Sequence, residues 1–131
     1  PKQVVIASDL RAARAIEEKI LRLTRRLGYS RRCGFAIRLA LEEAIVNAHK
    51  HGNKSDPSKT ITISYDVNEE RAIIRVRDDG MGFARHQIPD PTSPDRIMLT
   101  SGRGIKLMEA YMDDLCYNDR GNEVQLTKNK A

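Results

Sequence analysis

Glu43 and Asn47 stand four residues apart in Leu41-Glu42-Glu43-Ala44-Ile45-Val46-Asn47-Ala48-His49-Lys50-His51-Gly52, whose apolar spacing is that of a buried helix. Residues at i and i+4 share one helix face, so a carboxylate and a carboxamide project side by side, one turn apart. A carboxylate so placed is able to accept a hydroxyl proton, and an amide oxygen is a hard ligand that suits Mg²⁺. Two further motifs follow in order, Val76-Arg77-Asp78-Asp79-Gly80-Met81-Gly82-Phe83 and Ser101-Gly102-Arg103-Gly104-Ile105. Asp78 offers an acceptor to an exocyclic amine, Gly80 and Gly82 let backbone approach a flat ring, and Gly102 and Gly104 present N–H groups to phosphates. A nucleotide would use all of them.

The elements that must position these groups are legible from periodicity. Lys2 to Ala7 is a β-branched run that reads as a strand, and Ser8 or Asp9 is placed to cap the helix after it. Leu10, Ala13, Ile16, Ile20, Leu23 and Leu27 recur at helical spacing until Gly28, and Ser30 caps a second helix that carries Glu43 and ends near Gly52. In that helix Ile37, Leu41, Ala44, Ile45 and Ala48 form the core stripe, while Ala36, Ala40, Glu43, Asn47 and Lys50 form an adjacent stripe able to floor a pocket.

Lys54 to Lys59 reads as a polar loop, and Thr60 to Val67 and Arg71 to Arg77 alternate as a hairpin around Asn68-Glu69-Glu70. The period of two sets Asp78 on the inward face with Ala72, Ile74 and Val76 and turns Asp79 away. A buried carboxylate without a partner costs several kcal/mol or shifts its pKa, so a donor or a ligand should meet Asp78. Residues 84–101, with Pro89, Pro91 and Pro94, are long for a connection and read as a lid. Ile105 to Asp113 follows as a helix, Leu115 to Asn118 and Glu123 to Thr127 as a closing hairpin, and Lys128 to Ala131 as a frayed tail. The expected fold is α+β: a single domain over 1–131, a two-layer sandwich whose mixed, mostly antiparallel sheet carries helices on one face.

At 131 residues the chain is long enough for one domain with a real core. No apolar run approaches the roughly 20 residues of a membrane span, so no membrane is expected. Cys33 and Cys116 have neither disulfide nor zinc spacing, which fits reduced thiols and a cytoplasmic setting. The chain opens at Pro1 without a secretory leader, and a start other than Met points to trimming or excision from something longer. The net charge of +5 is uneven: residues 1–38 hold ten Lys/Arg against three Asp/Glu, the remainder thirteen against fifteen. That basic first third would attract nucleic acid or an acidic protein, and four Tyr and two Phe supply few base-stacking platforms. Glu42 follows Arg38 by four residues and is assigned to a surface ion pair; the three histidines show no metal-ligand spacing.

The run Glu43-x-x-x-Asn47-Ala48-x-x-His51-Gly52, then Asp78-x-Gly80-x-Gly82-Phe83, then Gly102-x-Gly104, resembles the N, G1 and G2 boxes of the Bergerat-type ATP-binding fold shared by gyrases, mismatch-repair ATPases and histidine kinases. The compact length, the leading strand and basic helix, and Gly-Arg-Gly-Ile-Lys-Leu-Met through Met112-Asp113 most resemble bacterial anti-sigma-factor serine kinases. The resemblance implies ATP with Mg²⁺, a mixed sheet backed by helices, and phosphorylation of a serine on an antagonist protein. It makes Glu43 the general base, Asn47 the Mg²⁺ ligand and Asp78 the adenine contact. It makes Gly80, Gly82, Gly102 and Gly104 the nucleotide-cradling turns, and Lys50, His51 and Arg103 are expected as further nucleotide contacts. Expected partners are the antagonist, a sigma factor and a second copy in a homodimer. The chain departs from the family pattern at Asn122, where relatives often place a threonine. A catalytically idle ATP-binding switch, a basic nucleic-acid-binding domain and a sensor histidine kinase catalytic domain stand as alternatives.

Overall fold

The computed structural model describes residues 2–80 and 100–130, with backbone alone for 100–105. Its elements are β1 (Lys2–Ala7), α1 (Leu10–Arg26), α2 (Arg31–Asn47) continued by a π turn (Ala48–Gly52), β2 (Thr60–Val67), β3 (Arg71–Asp78), α3 (Thr100–Tyr111), β4 (Asp114–Tyr117) and β5 (Glu123–Asn129). Most of the region read as a lid, together with Met81, Gly82 and Phe83, lies outside the described residues.

Local chemistry starts and stops the helices where the sequence indicates. The Asp9 carboxylate accepts from the Arg11 N–H at 2.8 Å and the Ser30 hydroxyl accepts from the Cys33 N–H at 3.1 Å, each satisfying a donor that the first helical turn leaves open. Past the end of α1, Gly28 takes φ +88°, the left-handed region that a side chain disfavours. The α1 stripe is rotated from the expected one: Ala13, Ile16, Ile20, Leu21 and Thr24 are buried, while Leu10 is 42% exposed and Leu23 and Leu27 lie at the margin. Because 3.6 residues make a turn, a stripe followed at steps of three and four drifts, and packing against α2 selects Leu21.

The strands form one sheet in the order β1-β2-β3-β5-β4, and all four described pairings are antiparallel, so the parallel pairing of a mixed sheet is not among them. Ile61, Ile63 and Tyr65 of β2, Ala72, Ile74 and Val76 of β3, and Val124 and Leu126 of β5 are buried on one face. They meet Ile37, Leu41, Ala44 and Ile45 of α2, the central helix, which packs against α1, α3, β3 and β5. Burying each such aliphatic side chain contributes roughly 1.5–3 kcal/mol, and the opposite sheet face, with Arg75 and Gln125 joined at 2.8 Å, needs none of it.

Two expectations are corrected here. The segment from Lys128 is not frayed: Lys128 pairs with Ala72, Asn129 with Arg71, and the Lys130 N–H donates to the Glu70 carbonyl at 2.9 Å. Gly102, Arg103 and Gly104 do not form a turn ahead of the third helix, because α3 already includes them. Met108 and Met112 lie in the core, as their spacing requires.

Candidate nucleotide site

Asp78 ends a row of inward-facing side chains on β3, is only 9% exposed, and accepts from the Gly80 N–H at 2.7 Å. Burial is the main reason its pKa is pushed up to about 6; the Gly80 N–H opposes the shift, and the Asp79 charge adds to it. The neighbouring Asp79 turns outward, and its carboxylate accepts from the Thr60 N–H at 2.7 Å and the Thr60 hydroxyl at 2.8 Å. The two adjacent acids are thus separated by the strand's alternation: Asp79 ties down the start of β2 and Asp78 faces the interior.

What meets Asp78 comes from the end of α2. A Cβ on Gly52 would fall inside the Asp78 carboxyl, and one on Gly80 would overlap the Gly52 carbonyl, so this close approach requires both glycines. The helix arrives here through its π turn, closed by the Asn53 N–H donating to the Ala48 carbonyl at 2.8 Å. Such insertions recur at functional sites because they re-aim the side chains that follow.

Glu43, Asn47 and His51 follow one another at intervals of four along this helix end. Glu43 Oε1, both polar atoms of the Asn47 amide and His51 Nε2 are buried, with no hydrogen-bond partner among the described residues. Unsatisfied buried polar atoms each cost about 1–3 kcal/mol, so a row of them makes this helix end a candidate ligand site. Burial raises the Glu43 pKa, with Lys50 opposing it, and burial and then Lys50 lower that of His51. A carboxylate displaced in that direction is a better proton acceptor, and a neutral imidazole keeps one nitrogen able to accept.

Of the residues read from the sequence, the structure brings Asp78 and Gly80 against the helix end that carries Glu43, Asn47 and His51. Lys50 is exposed beside them. Gly102, Arg103 and Gly104 begin α3, which packs on α2, and Gly82 lies outside the described residues. Glu42 is a surface group as expected, 3.9 Å from Arg38, which also meets Glu18 at 3.2 Å.

Two residues escaped the sequence reading. Tyr117 of β4 faces both acids: burial first, then Asp78, Glu43 and Glu109, push its phenol pKa upward. Asn53 is completely buried; its Nδ2 donates to the Ser8 hydroxyl at 3.0 Å and the Thr60 carbonyl at 2.9 Å, and its Oδ1 accepts from the Asp79 N–H at 2.8 Å. An asparagine after a helix-ending glycine reads simply as a breaker, so neither residue carried a local signal. Asn122, the departure from the family pattern, is fixed beside Asp78: its carbonyl accepts from the Asp78 N–H at 2.9 Å and its Nδ2 donates to the Asp78 carbonyl at 3.3 Å.

A helix-backed antiparallel sheet with an acid at the end of an inner strand and an orphaned acid–amide row on the facing helix is consistent with the class that the sequence comparison shows. Residues 6–128 match the family described as histidine kinase-like ATPase domain, and the chain belongs to that family. It is similar to the serine-protein kinase RsbW of Listeria innocua, 32% identical over 114 residues that cover 77% of this chain and 73% of the relative. It is similar also to the anti-sigma F factor of Clostridium perfringens, 32% identical over 97 residues covering 70% and 69%.

Proposed function

We propose that this protein is an ATP-dependent serine kinase of the anti-sigma type, a single ATP-binding domain over 1–131 that phosphorylates an antagonist protein and sequesters a sigma factor. The observation that carries the reading is the orphaned row of Glu43, Asn47 and His51 beside Asp78, supported by the relatives named serine-protein kinase and anti-sigma factor. Among the described residues no helix is long and apolar enough to cross a membrane. The antagonist, the sigma factor and a second copy of the chain are the partners proposed.

The donor set fits ATP with Mg²⁺, because the unsatisfied atoms include an amide oxygen and a carboxylate oxygen one helical turn apart, with the Asn47 Nδ2 and His51 Nε2 beside them on the same helix end. Asn47 Oδ1 would hold the metal, which when bound neutralises charge on the phosphate oxygens. Glu43 would orient the serine hydroxyl and accept its proton at Oε1. Asp78 would accept from the adenine amine while Gly52 and Gly80 keep the backbone close enough for the ring to lie flat. Lys50, His51 and Arg103 are proposed on the phosphate side, with Gly82, Gly102 and Gly104 as the remaining cradle and residues 84–101 as its lid.

The test is transfer of label from γ-labelled ATP, with Mg²⁺, to a serine of candidate antagonist proteins; no transfer to any of them would favour the idle switch. Asp78→Asn gives a second check with two readouts. Turning an acceptor edge into a donor is expected to weaken ATP binding by roughly 1.5–3 kcal/mol, about 10–100-fold, by calorimetry. The ligand-free protein should respond oppositely. With its folded pKa raised from 3.8 to about 6, Asp78 stabilises most while protonated, and that contribution is lost as pH rises through about 6. The stability of Asp78→Asn relative to the parent should therefore rise between about pH 4 and 6 and then level off, which urea midpoints across that range would show; a pH-independent difference would contradict the burial of the charge.

A further inference from the structure

The end of α1 and the start of α2 border an open groove of about 330 Å³ that includes none of the proposed nucleotide-site residues. It lies about 20 Å along α2 from Asn47, at roughly 1.5 Å per residue. Arg25, Arg31 and Arg38 line it, and no carboxylate does. Arg38 is held by Glu18 and Glu42, while Arg25 and Arg31 are exposed and make no ion pair among the described residues. Phe35, in the same lining, is 56% exposed, the largest exposure of an aromatic ring among the described residues. In the lining the buried Tyr29 donates its hydroxyl to the Asn68 carbonyl at 2.7 Å.

Gly34 supplies an independent observation. It sits inside α2 with its N–H bonded to the Ser30 carbonyl at 2.9 Å, has no positive φ, and a Cβ there would meet nothing within 4 Å. Glycine weakens a helix interior relative to alanine, so nothing in this fold requires it. A bare backbone beside an exposed aromatic ring suits a partner that approaches the helix closely.

We infer that this groove docks an acidic segment of a partner protein carrying an apolar side chain, its carboxylates meeting Arg25 and Arg31 and its apolar group covering Phe35 over Gly34. A purely ionic ligand would leave Phe35 in water, which makes a protein segment a better match than a phosphate backbone. The groove stands on these residues and not on the kinase reading.

The test is an amide NMR titration of the labelled chain with a short synthetic peptide of glutamates flanking a leucine–phenylalanine pair, and separately with duplex DNA. Shifts should centre on the amides of Gly34 and Phe35. Phe35→Ser and Arg31→Glu should each weaken the peptide about tenfold or more, the loss typical of an interface anchor. Gly34→Ala should raise the thermal midpoint yet weaken the peptide, a pairing that damage to the fold does not produce. ATP binding of all three variants should match the parent, which separates failure here from failure of the nucleotide site. Absence of shifts at those amides, unchanged peptide affinity in Phe35→Ser, or displacement of the peptide from them by duplex DNA would overturn the assignment.

Discussion

Glu43→Ala is expected to lower phosphoryl transfer by roughly 10²–10⁴-fold while leaving ATP affinity close to that of the parent. The carboxylate is half-buried, burial raises its pKa, and its Oε1 has no hydrogen-bond partner among the described residues, so removing it takes away a proton acceptor without breaking a hydrogen bond to that oxygen. Asn47→Ala should behave differently. Its Oδ1 and Nδ2 are equally orphaned, but an amide does not act as a base at neutral pH, so its loss should weaken Mg²⁺-dependent nucleotide binding along with turnover. Single-turnover transfer and equilibrium nucleotide binding, measured on both variants, separate the two roles. Full activity in Glu43→Ala would return that side chain to the helix surface, and equal losses of binding in both would make the pair a purely structural motif.

The second large effect concerns stability. Asn53→Ala should lower the unfolding free energy by about 3–5 kcal/mol, since it strands the Asp79 N–H, takes a donor from the Thr60 carbonyl and the Ser8 hydroxyl, and leaves a cavity at a fully buried position, each lost partner costing roughly 1–3 kcal/mol. For a chain of this size that is a fall of about 10 °C or more in the thermal midpoint. Ser8→Ala is the control: its hydroxyl also lies 2.8 Å from His49 Nδ1, but it leaves the amide's other two bonds intact and should cost much less. Urea unfolding of the two variants would decide, and a loss below about 1 kcal/mol in Asn53→Ala would mean that water replaces the amide.

These two variants mark the boundary of what the sequence discloses. Glu43, Asn47 and Asp78 were legible because each breaks a local rule: polar groups enter a helical stripe and a carboxylate ends an alternating apolar row. Periodicity reports which way a side chain points, and it was right for Asp78 and Asp79. It does not report what lies across the gap. Asn53 binds partners 45 and 26 positions away, Tyr117 feels the charge of acids from three other elements, and Gly52 is tight only because Asp78 arrives opposite it. The π turn is silent for a related reason: one extra residue per turn leaves no mark on an apolar spacing that is already ending. Lys128 to Lys130 looked frayed because a polar strand end has no core-facing pattern, yet backbone pairing with Arg71 and Ala72 holds it in place.

That seating of β5 between β3 and β4 governs the order in which a growing chain can assemble. A ribosome releases β1, β2 and β3 early, but the second edge of β3, the strand that ends in Asp78, stays open until Glu123–Asn129 has emerged. Until then its N–H and C=O groups are exposed to water or to any passing strand, and the Asp78 N–H lacks the Asn122 carbonyl that fixes it. The turn that seats Asp78 is therefore a late product of synthesis, completed only well after the helix that carries Glu43 has emerged.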